Sequence, residues 1–317
     1  MSTLSLRLEA VRRQAEGIHA FELVRPEGGD LPEVQAGAHV DVHLPGGLVR
    51  SYSLAGDPAD RRRWTLGVLR EKAGRGGSAA LHDRVRVGDL LAVGQPRNAF
   101  ALAGGARHSV LLGGGIGITP LKAMAHTLRQ QGASFELHYC ARTEGHVAFL
   151  EELRALVPAD RLHLHLDQGN PAQGLDLAAL LRTPTEGTHL YYCGPAGFMQ
   201  ACAEASAHWP AGTVHFEHFK PPASTASALE AGAFEVRLQR QGITVAVPPS
   251  QSIVQALEAA GRPVPTSCLS GLCGACKVGY LEGEVEHNDY ILGDDEKAHC
   301  LTLCVSRARS PVLVLDL

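Results

Sequence analysis

Three cysteines lie close together near the carboxyl end of the chain. The segment PTSCLSGLCGACKVG, residues 265–279, carries Cys268, Cys273 and Cys276 in a C-x4-C-x2-C spacing. Plant-type [2Fe–2S] clusters are bound by this spacing together with one distant cysteine. Zinc is the competing metal, but structural zinc sites usually combine two separated cysteine pairs. The loop therefore favours an iron–sulfur cluster over zinc.

The fourth ligand has to come from elsewhere in the sequence. The chain has 8 cysteines, and five of them lie between residues 268 and 304. A disulfide framework is not expected in a reducing cytosol. Cys300 and Cys304 are both candidates, since residues four apart share a face of a helix and also of an extended strand. Spacing alone leaves this choice open.

Two glycine turns predict a nucleotide site. LLGGGIGITP, residues 111–120, runs from an apolar strand through glycines into a helix, and YYCGPAGFM, residues 191–199, repeats that layout. Glycine lets the backbone approach an anion, and a helix N-terminus adds free N–H groups and a favourable dipole. Cys193 falls at the carboxyl end of its strand, where open α/β sheets bind ligands. A tight strand–helix turn and a buried core cysteine are the alternatives at these places.

Two segments in the first third of the chain carry groups suited to a phosphate. RSYSL, residues 50–54, has an arginine that can bind phosphate through two N–H groups and a tyrosine that can pack on a planar ring. GRGGS, residues 74–78, offers glycines and a serine for a cradle of backbone N–H groups. Taken singly, each piece is more commonly a solvated arginine or a hairpin turn.

These residues need three kinds of scaffold. Residues 1–103 contain short apolar runs separated by Gly, Pro and Asp, which predicts a small antiparallel barrel. Residues 104–222 alternate strands with helices, which predicts a doubly wound parallel sheet. Residues 223–233 are rich in Ala, Ser and Pro and are typical of a linker. Residues 234–317 contain two strands, a helix, the cysteine loop and a closing strand, and we expect a compact third domain there.

Composition and charge exclude several classes of function. The chain has 317 residues, 45% of them apolar, which suits two or three domains with sizeable cores. The net charge is −4 and no segment is strongly basic, which argues against nucleic acid and anionic membranes as partners. No apolar run reaches the roughly 18 residues that span a bilayer, and the N-terminus lacks the apolar stretch of a signal peptide. We expect a cytoplasmic monomer.

The order of these motifs resembles that of the phthalate dioxygenase reductase family, which includes vanillate demethylase reductases. The resemblance covers essentially the whole chain and is carried by RSYS, GRGGS, GGGIGITP, YYCGP, HWPAGTVHFEHF and CLSGLCGAC…CVSRA. It implies a multidomain β and α/β fold: an antiparallel FMN-binding barrel, a doubly wound NAD-binding sheet and a C-terminal α+β plant-type ferredoxin domain of the β-grasp type. It also implies a reductase that takes hydride from NADH to FMN and passes single electrons through a [2Fe–2S] cluster to a Rieske non-haem iron oxygenase.

Two other functions remain compatible with the motifs. An NADH diaphorase would use the same cofactors with a different acceptor, such as a haem protein or an iron chelate. A zinc-bound interaction module fused to a nucleotide sensor would have neither flavin nor iron. A flavin spectrum that NADH bleaches would exclude the sensor.

The resemblance also implies cofactor contacts residue by residue. In the barrel these are Arg50, Ser51, Tyr52 and Ser53, then Gly67, Val68 and Leu69, then Arg75, Gly76, Gly77 and Ser78. Leu69 departs from the family, since a lysine can occupy that place. In the nucleotide-binding domain they are Gly114, Gly115, Gly117, Ile118, Thr119, Cys193, Gly194 and Pro195, with Thr119 expected to reach the flavin. Phe219 corresponds to an aromatic residue near the flavin, and Ser53, Cys193 and Phe219 are the expected catalytic residues.

The resemblance selects the fourth cluster ligand, because CVSRA matches the family and implies Cys304 beside Cys268, Cys273 and Cys276. FMN is favoured over FAD, since Arg50 and GRGGS suit a terminal phosphate. NADH is favoured over NADPH, since CARTEGHVAF, residues 140–149, has no basic cluster for a 2′-phosphate. Residues 281–296 hold seven carboxylates and no Lys or Arg, which predicts an acidic face for a partner or a merely solvated one.

Overall fold

The computed structural model describes residues 3–220 and 232–317. The chain divides into two compact units, Met1–Phe219 and Lys220–Leu317. Most of the predicted linker, residues 223–231, lies outside the described residues. The predicted domain boundary between residues 103 and 104 falls inside the first unit and remains a prediction.

An antiparallel barrel begins the first unit. Its elements are β1 (Thr3–Ala15), β2 (Ile18–Val24), β3 (His39–Leu44), β4 (Leu48–Ser53), β5 (Trp64–Leu69), α1 (Gly77–Arg84) and β6 (Leu90–Gly94). The strands pair in the order β4-β3-β6-β1-β2-β5 around an apolar core that includes Phe21 and Trp64. A bridge between Leu54, directly after β4, and Leu66 of β5 joins the two edges of this sheet. The sheet therefore closes on itself, as the short apolar runs predicted.

A five-stranded parallel sheet follows in the same unit. Its elements are β7 (His108–Gly114), α2 (Ile118–Gln130), β8 (Phe135–Ala141), α3 (Leu150–Leu156), β9 (Leu162–Leu166), α4 (Leu177–Leu180), β10 (Thr188–Cys193), α5 (Ala196–Ser206) and β11 (Val214–Glu217). The strand order is β11-β10-β7-β8-β9 and every pair is parallel. The order reverses between β7 and β10, so a crevice opens at the carboxyl ends of those two strands. Both glycine turns lie at this switch point.

The second unit is a mixed sheet with one principal helix. Its elements are β12 (Phe234–Leu238), β13 (Ile243–Val247), α6 (Ile253–Ala259), β14 (Lys277–Glu282), β15 (Val285–Glu286), α7 (Asp294–Lys297), β16 (Cys300–Thr302), β17 (Arg307–Ala308) and β18 (Val312–Leu315). The order is β13-β12-β18-β14-β16, and the first and last strands of the unit, β12 and β18, pair in parallel. A capping box of Ser252 and Gln255 starts α6. Apolar residues of α6 pack on the sheet and form the core of this unit.

Among the helices that residues 3–220 and 232–317 form, none is both long enough and apolar enough to cross a bilayer.

Candidate cofactor sites

Arg50 lies across the amino-terminal end of α1. Its guanidinium donates hydrogen bonds to the carbonyls of Val49 and Arg75, both at 2.7 Å. A Cβ atom on Gly77 would lie 2.3 Å from Arg50 Cγ, so the Arg50 side chain can occupy this position only because residue 77 is a glycine. Gly76, which caps the helix, has a φ of 81° in the left-handed region that favours glycine. The GRGGS motif and Arg50 are thus brought together.

The charges at this place suit an anion. Burial, and then the charge of Arg75, lowers the pKa of Arg50. The first turn of α1 contains no acidic residue, so its N–H groups and dipole add to the positive potential. Ser78 Oγ accepts a hydrogen bond from the Glu71 N–H at 3.0 Å and fixes the loop that precedes the helix. These residues fit the terminal phosphate of FMN.

The other residues of β4 are held by the barrel itself. Ser51 Oγ donates to Asp41 Oδ1 at 2.7 Å, and Arg97 donates to Asp41 Oδ2 at the same distance. Asp41 is 5% exposed, and a carboxylate buried this far is stable when it is paired. Tyr52 packs on the barrel core, where burial raises the pKa of its phenol to about 12. Asp41 and Arg97 were not expected from the sequence, because Asp41 alternates with the apolar residues Val40, Val42 and Leu44 of HVDVHL and so falls in the register expected to face away from the core.

Gly67 of β5 lies directly on the first turn of α2. A Cβ atom on Gly67 would lie 2.6 Å from Thr119 Cγ2 and 2.9 Å from the Phe149 ring. Thr119 is 1% exposed and its hydroxyl donates to the Ile116 carbonyl at 3.0 Å. The flavin strand predicted from sequence and the nucleotide turn are therefore in contact. Of the two residues after Gly67, Val68 points into the barrel core, while Leu69 packs beside the core of the parallel sheet.

The two glycine turns at the switch point are packed against each other. A Cβ atom on Gly117 would lie 2.1 Å from the Cys193 carbonyl oxygen, and one on Gly114 would lie 2.9 Å from Pro195. A Cβ atom on Gly194 would lie 2.6 Å from the Phe198 ring. Close approach of backbone is the use of glycine in dinucleotide sites. Gly115 has a φ of 54°, and Ile118 is fully buried at the start of α2.

The four cysteines predicted as ligands come together in the second unit. A hydrogen bond with Cys273 lowers the pKa of Cys268, and one with Cys304 lowers that of Cys276. Cys300 lies instead on β16, opposite Gly279 of β14.

Backbone N–H groups point at these sulfurs. Those of Ser270 and Leu272 donate to Cys268 Sγ at 3.4 Å, and that of Gly271 donates to Cys304 Sγ at 3.3 Å. Gly271 has a φ of 70°, a conformation that favours glycine. Four sulfurs with N–H groups directed at them fit a [2Fe–2S] cluster.

Two family models match parts of this chain. The 2Fe-2S iron-sulfur cluster binding domain matches residues 236–309, and the oxidoreductase NAD-binding domain matches residues 111–204. The reductase subunit of tert-butanol monooxygenase / tert-amyl alcohol desaturase from Aquincola tertiaricarbonis is 51% identical, over 100% of this chain and 96% of its own length. The solved structure of phthalate dioxygenase reductase is 40% identical, with a TM-score of 0.74, over 100% of this chain and 98% of its own. The chain belongs to the phthalate dioxygenase reductase family.

A third match has a different architecture. An intact type IV self-sufficient cytochrome P450 monooxygenase is 38% identical to this reductase, with a TM-score of 0.92, over 99% of this chain. This reductase spans only 41% of that chain.

Membership confirms several predictions. The resemblance and the three-part fold class are confirmed. This reductase is an oxidoreductase that transfers electrons with NADH, a flavin and a [2Fe–2S] cluster, as the sequence predicted. The individual contact residues remain predictions.

One buried carboxylate of this reductase was missed as a site residue. Glu217, at the end of β11, lies opposite Cys193 of β10 and accepts a hydrogen bond from Ser53 Oγ at 3.3 Å. Its Oε1 is 3.8 Å from His39 Nδ1. Burial raises the pKa of Glu217 to about 8, and burial followed by the charge of Glu217 raises that of Cys193. Two of the expected catalytic residues, Ser53 and Cys193, thus meet at one carboxyl group, while Phe219 lies two residues further on and is 38% exposed.

Proposed function

We propose that this chain is the reductase component of a two-component Rieske non-haem iron oxygenase or demethylase. It takes a pair of electrons from NADH at the switch point of the parallel sheet and delivers them singly from the cysteine loop. FMN is the flavin and the oxygenase component is the acceptor. We also propose three domains, at residues 1–103, 104–222 and 234–317, with a linker at 223–233 before the third.

The observation that carries this proposal is the contact between Gly67 and Thr119. The Gly67 backbone lies on the turn that starts α2, and a Cβ atom there would be only 2.6 Å from Thr119. A flavin along β4 and β5 and a nicotinamide at Cys193 would then lie next to each other. Close positioning of two reacting groups is the main contribution that a protein makes to cofactor chemistry.

Each group of residues has a separate task in this proposal. Arg50, Arg75, Gly76, Gly77 and Ser78 hold the phosphate end of FMN. The turns at Gly114–Gly117 and Cys193–Pro195 hold the nucleotide, and the buried Cys193 excludes water beside the nicotinamide. Flavin, when bound, accepts two electrons together and releases them one at a time. Cys268, Cys273, Cys276 and Cys304 hold the cluster that carries single electrons outward.

The acceptor is proposed from the relatives. One relative is by name the reductase subunit of a monooxygenase and desaturase, and another is the reductase of a phthalate dioxygenase. We further propose a cytoplasmic monomer. None of the eight cysteines, all of which lie within the described residues, forms a disulfide, which suits a reducing compartment. Light scattering after gel filtration measures the mass against 33.6 kDa.

The test uses the purified holoprotein. We expect released flavin to have the mass of FMN, iron near two atoms per chain, and faster reduction by NADH than by NADPH. Electron transfer is then measured with a purified Rieske oxygenase, as NADH-dependent oxygen consumption that is coupled to product formation. Recovery of FAD, a preference for NADPH, or zinc in place of iron would each contradict a part of the proposal.

A haem protein is the second candidate acceptor. The observation that favours it is the match to the self-sufficient cytochrome P450, in which a reductase of this kind forms part of the same chain. NADH-dependent reduction of a separate P450 haem domain, followed at the haem absorption, distinguishes the two. A rate with the haem domain that exceeds the rate with every Rieske oxygenase tested would favour this alternative.

A further inference from the structure

A group of histidine and glutamate side chains lies outside the cofactor sites. Glu136 and His138 are two residues apart on β8 and therefore project from the same face of the sheet. His163 of β9 is the register partner of His138. One ligand atom from each of these three side chains lies within 4.8 Å of the other two.

The group lies at the end of the sheet opposite the nucleotide turns. Glu136 is the second residue of β8, and His163 is the second residue of β9. Gly114 and Cys193, by contrast, end their strands. Because all five strands are parallel, the amino ends of β8 and β9 lie at the edge away from the nucleotide turns. Neither the NADH nor the cluster site uses these residues.

His138 is the buried member. The residue is 6% exposed, and its Nε2 has no hydrogen-bond partner among the described residues. Its nearest charged neighbour is Glu136 Oε1 at 3.5 Å, which is too long for a good hydrogen bond. A buried polar atom without a hydrogen bond is costly, so a ligand that satisfies Nε2 would be stabilising.

A neighbouring imidazole orients this atom. His138 Nδ1 lies 3.1 Å from His165 Nε2, and the two rings are stacked with centroids 5.3 Å apart. When His138 Nδ1–H donates to His165, His138 Nε2 keeps its lone pair and faces Glu136. Metal-bound histidines are commonly held in this way through their second nitrogen.

We propose that Glu136, His138 and His163 form a binding site for a borderline divalent cation, with Zn²⁺ as the representative. Two imidazoles and one carboxylate suit Zn²⁺, whereas Mg²⁺ prefers oxygen ligands alone. Zinc bonds of about 2.0–2.2 Å would bring tetrahedral ligand atoms to roughly 3.4 Å from one another. Side-chain rotation can supply this contraction, because the Glu136 and His163 side chains are 30% and 38% exposed. A water molecule would complete the coordination.

The experiment is equilibrium dialysis of the holoprotein against Zn²⁺, with metals quantified by mass spectrometry. We expect wild type to bind about one zinc per chain without loss of iron or flavin absorption. Glu136→Gln keeps the shape of the side chain and His163→Ala removes a half-buried ring, so both variants should fold. Each should bind zinc at least about tenfold more weakly. His43→Ala, which removes an exposed histidine from β3, is the matched control and should bind like wild type.

Other outcomes would overturn the proposal. Wild type that binds well under one zinc, or variants that bind as tightly as wild type, would leave these three residues without a role in metal binding. Zinc uptake that bleaches the iron–sulfur absorption would place the metal at the cysteines instead. Mg²⁺ that competes with zinc at equal concentration would contradict the assigned ligand class.

Discussion

At the scale of single residues, Cys300 and Cys304 separate clearly. Gly271 of the cysteine loop donates its N–H to Cys304 Sγ, whereas Cys300 lies in a strand opposite Gly279. We predict that Cys304→Ser loses the cluster, because one of four sulfurs is removed, while Cys300→Ser keeps it. Iron content and visible absorption of both variants measure this, with flavin content as the control for folding. If Cys300→Ser lost its iron and Cys304→Ser kept it, Cys300 would be the fourth ligand instead.

Glu217 gives a prediction of pH dependence. Burial raises the pKa of its carboxyl to about 8, far above the value in an unfolded chain. The folded chain therefore holds a proton that the unfolded chain has released, so the stability from this group is complete below about pH 4.5 and is lost as the pH rises through about 8. A glutamine at this position cannot titrate. The free energy of unfolding of Glu217→Gln, taken relative to that of wild type, should therefore rise by at least about 1 kcal/mol from pH 5 to pH 8.

Urea unfolding of both proteins at four pH values measures this difference. Glu282→Gln removes an exposed carboxylate from the second unit and is the matched control, for which we expect a constant difference. A Glu217→Gln protein whose stability stays parallel to wild type across the range would mean that Glu217 is ionised in the folded chain.

At the scale of elements, the effect of each glycine turn depends on the residues that pack against it. A Cβ atom on Gly77 would lie 2.3 Å from Arg50 Cγ and 2.7 Å from Nε. Because the side chain of Arg50 can move, we predict that Gly77→Ala displaces the guanidinium without unfolding the barrel. FMN affinity should fall about tenfold or more, since a bidentate arginine contact with a phosphate is lost. Dialysis with flavin fluorescence measures the affinity, and Gly104→Ala, with open space around it, is the control. An unchanged affinity would remove Arg50 from the phosphate site.

Gly117 gives the corresponding prediction for the nucleotide site. An added Cβ would lie 2.1 Å from the Cys193 carbonyl, and backbone cannot yield as a side chain does. Gly117→Ala should therefore destabilise the first unit by about 1–3 kcal/mol and raise the KM for NADH. Gly104→Ala, outside both turns and with open space around an added Cβ, is the matched control and should leave the stability and the KM for NADH unchanged. A normal KM and stability for Gly117→Ala would mean that the two turns are not packed as described.

The elements also show which parts of the site sequence could predict. Strand, glycine turn and helix follow one another in LLGGGIGITP, so local pattern was enough to predict β7, α2 and the switch point. The contacts of Ser53 with Glu217 and of Gly67 with Thr119 join residues far apart in the chain. Sequence spacing carries no information on which distant elements pack together, so Glu217 was missed. His163 and His165 share a face of β9 and are half-buried there, because the His138 ring of the neighbouring strand stacks on both, which is again a contact between distant segments.

At the scale of the whole molecule, charge is unevenly distributed. The chain has 33 Asp and Glu against 29 Lys and Arg, a difference of −4, and residues 234–317 hold ten acidic and seven basic residues, a difference of −3. The structure leaves only some of the seven carboxylates of residues 281–296 exposed and unpaired. Asp289 has a fully buried side chain, and Glu296 is paired with Lys277 at 2.8 Å. The exposed carboxylates that remain are those of Glu282, Glu284, Asp294 and Asp295.

Four exposed carboxylates on the cluster-bearing unit suit an acceptor with a basic face. We predict that electron transfer to the oxygenase slows as salt rises from about 0.05 to 0.5 M, because the screening length falls below about 10 Å above 0.1 M. The double variant Asp294→Lys, Asp295→Lys should slow the transfer at low salt and weaken its dependence on salt. Asp160→Lys, an exposed substitution in the first unit, is the control, and reduction of the flavin by NADH is the internal reference. Transfer rates that do not change with salt, and that the double variant leaves intact, would mean that these carboxylates are only solvated.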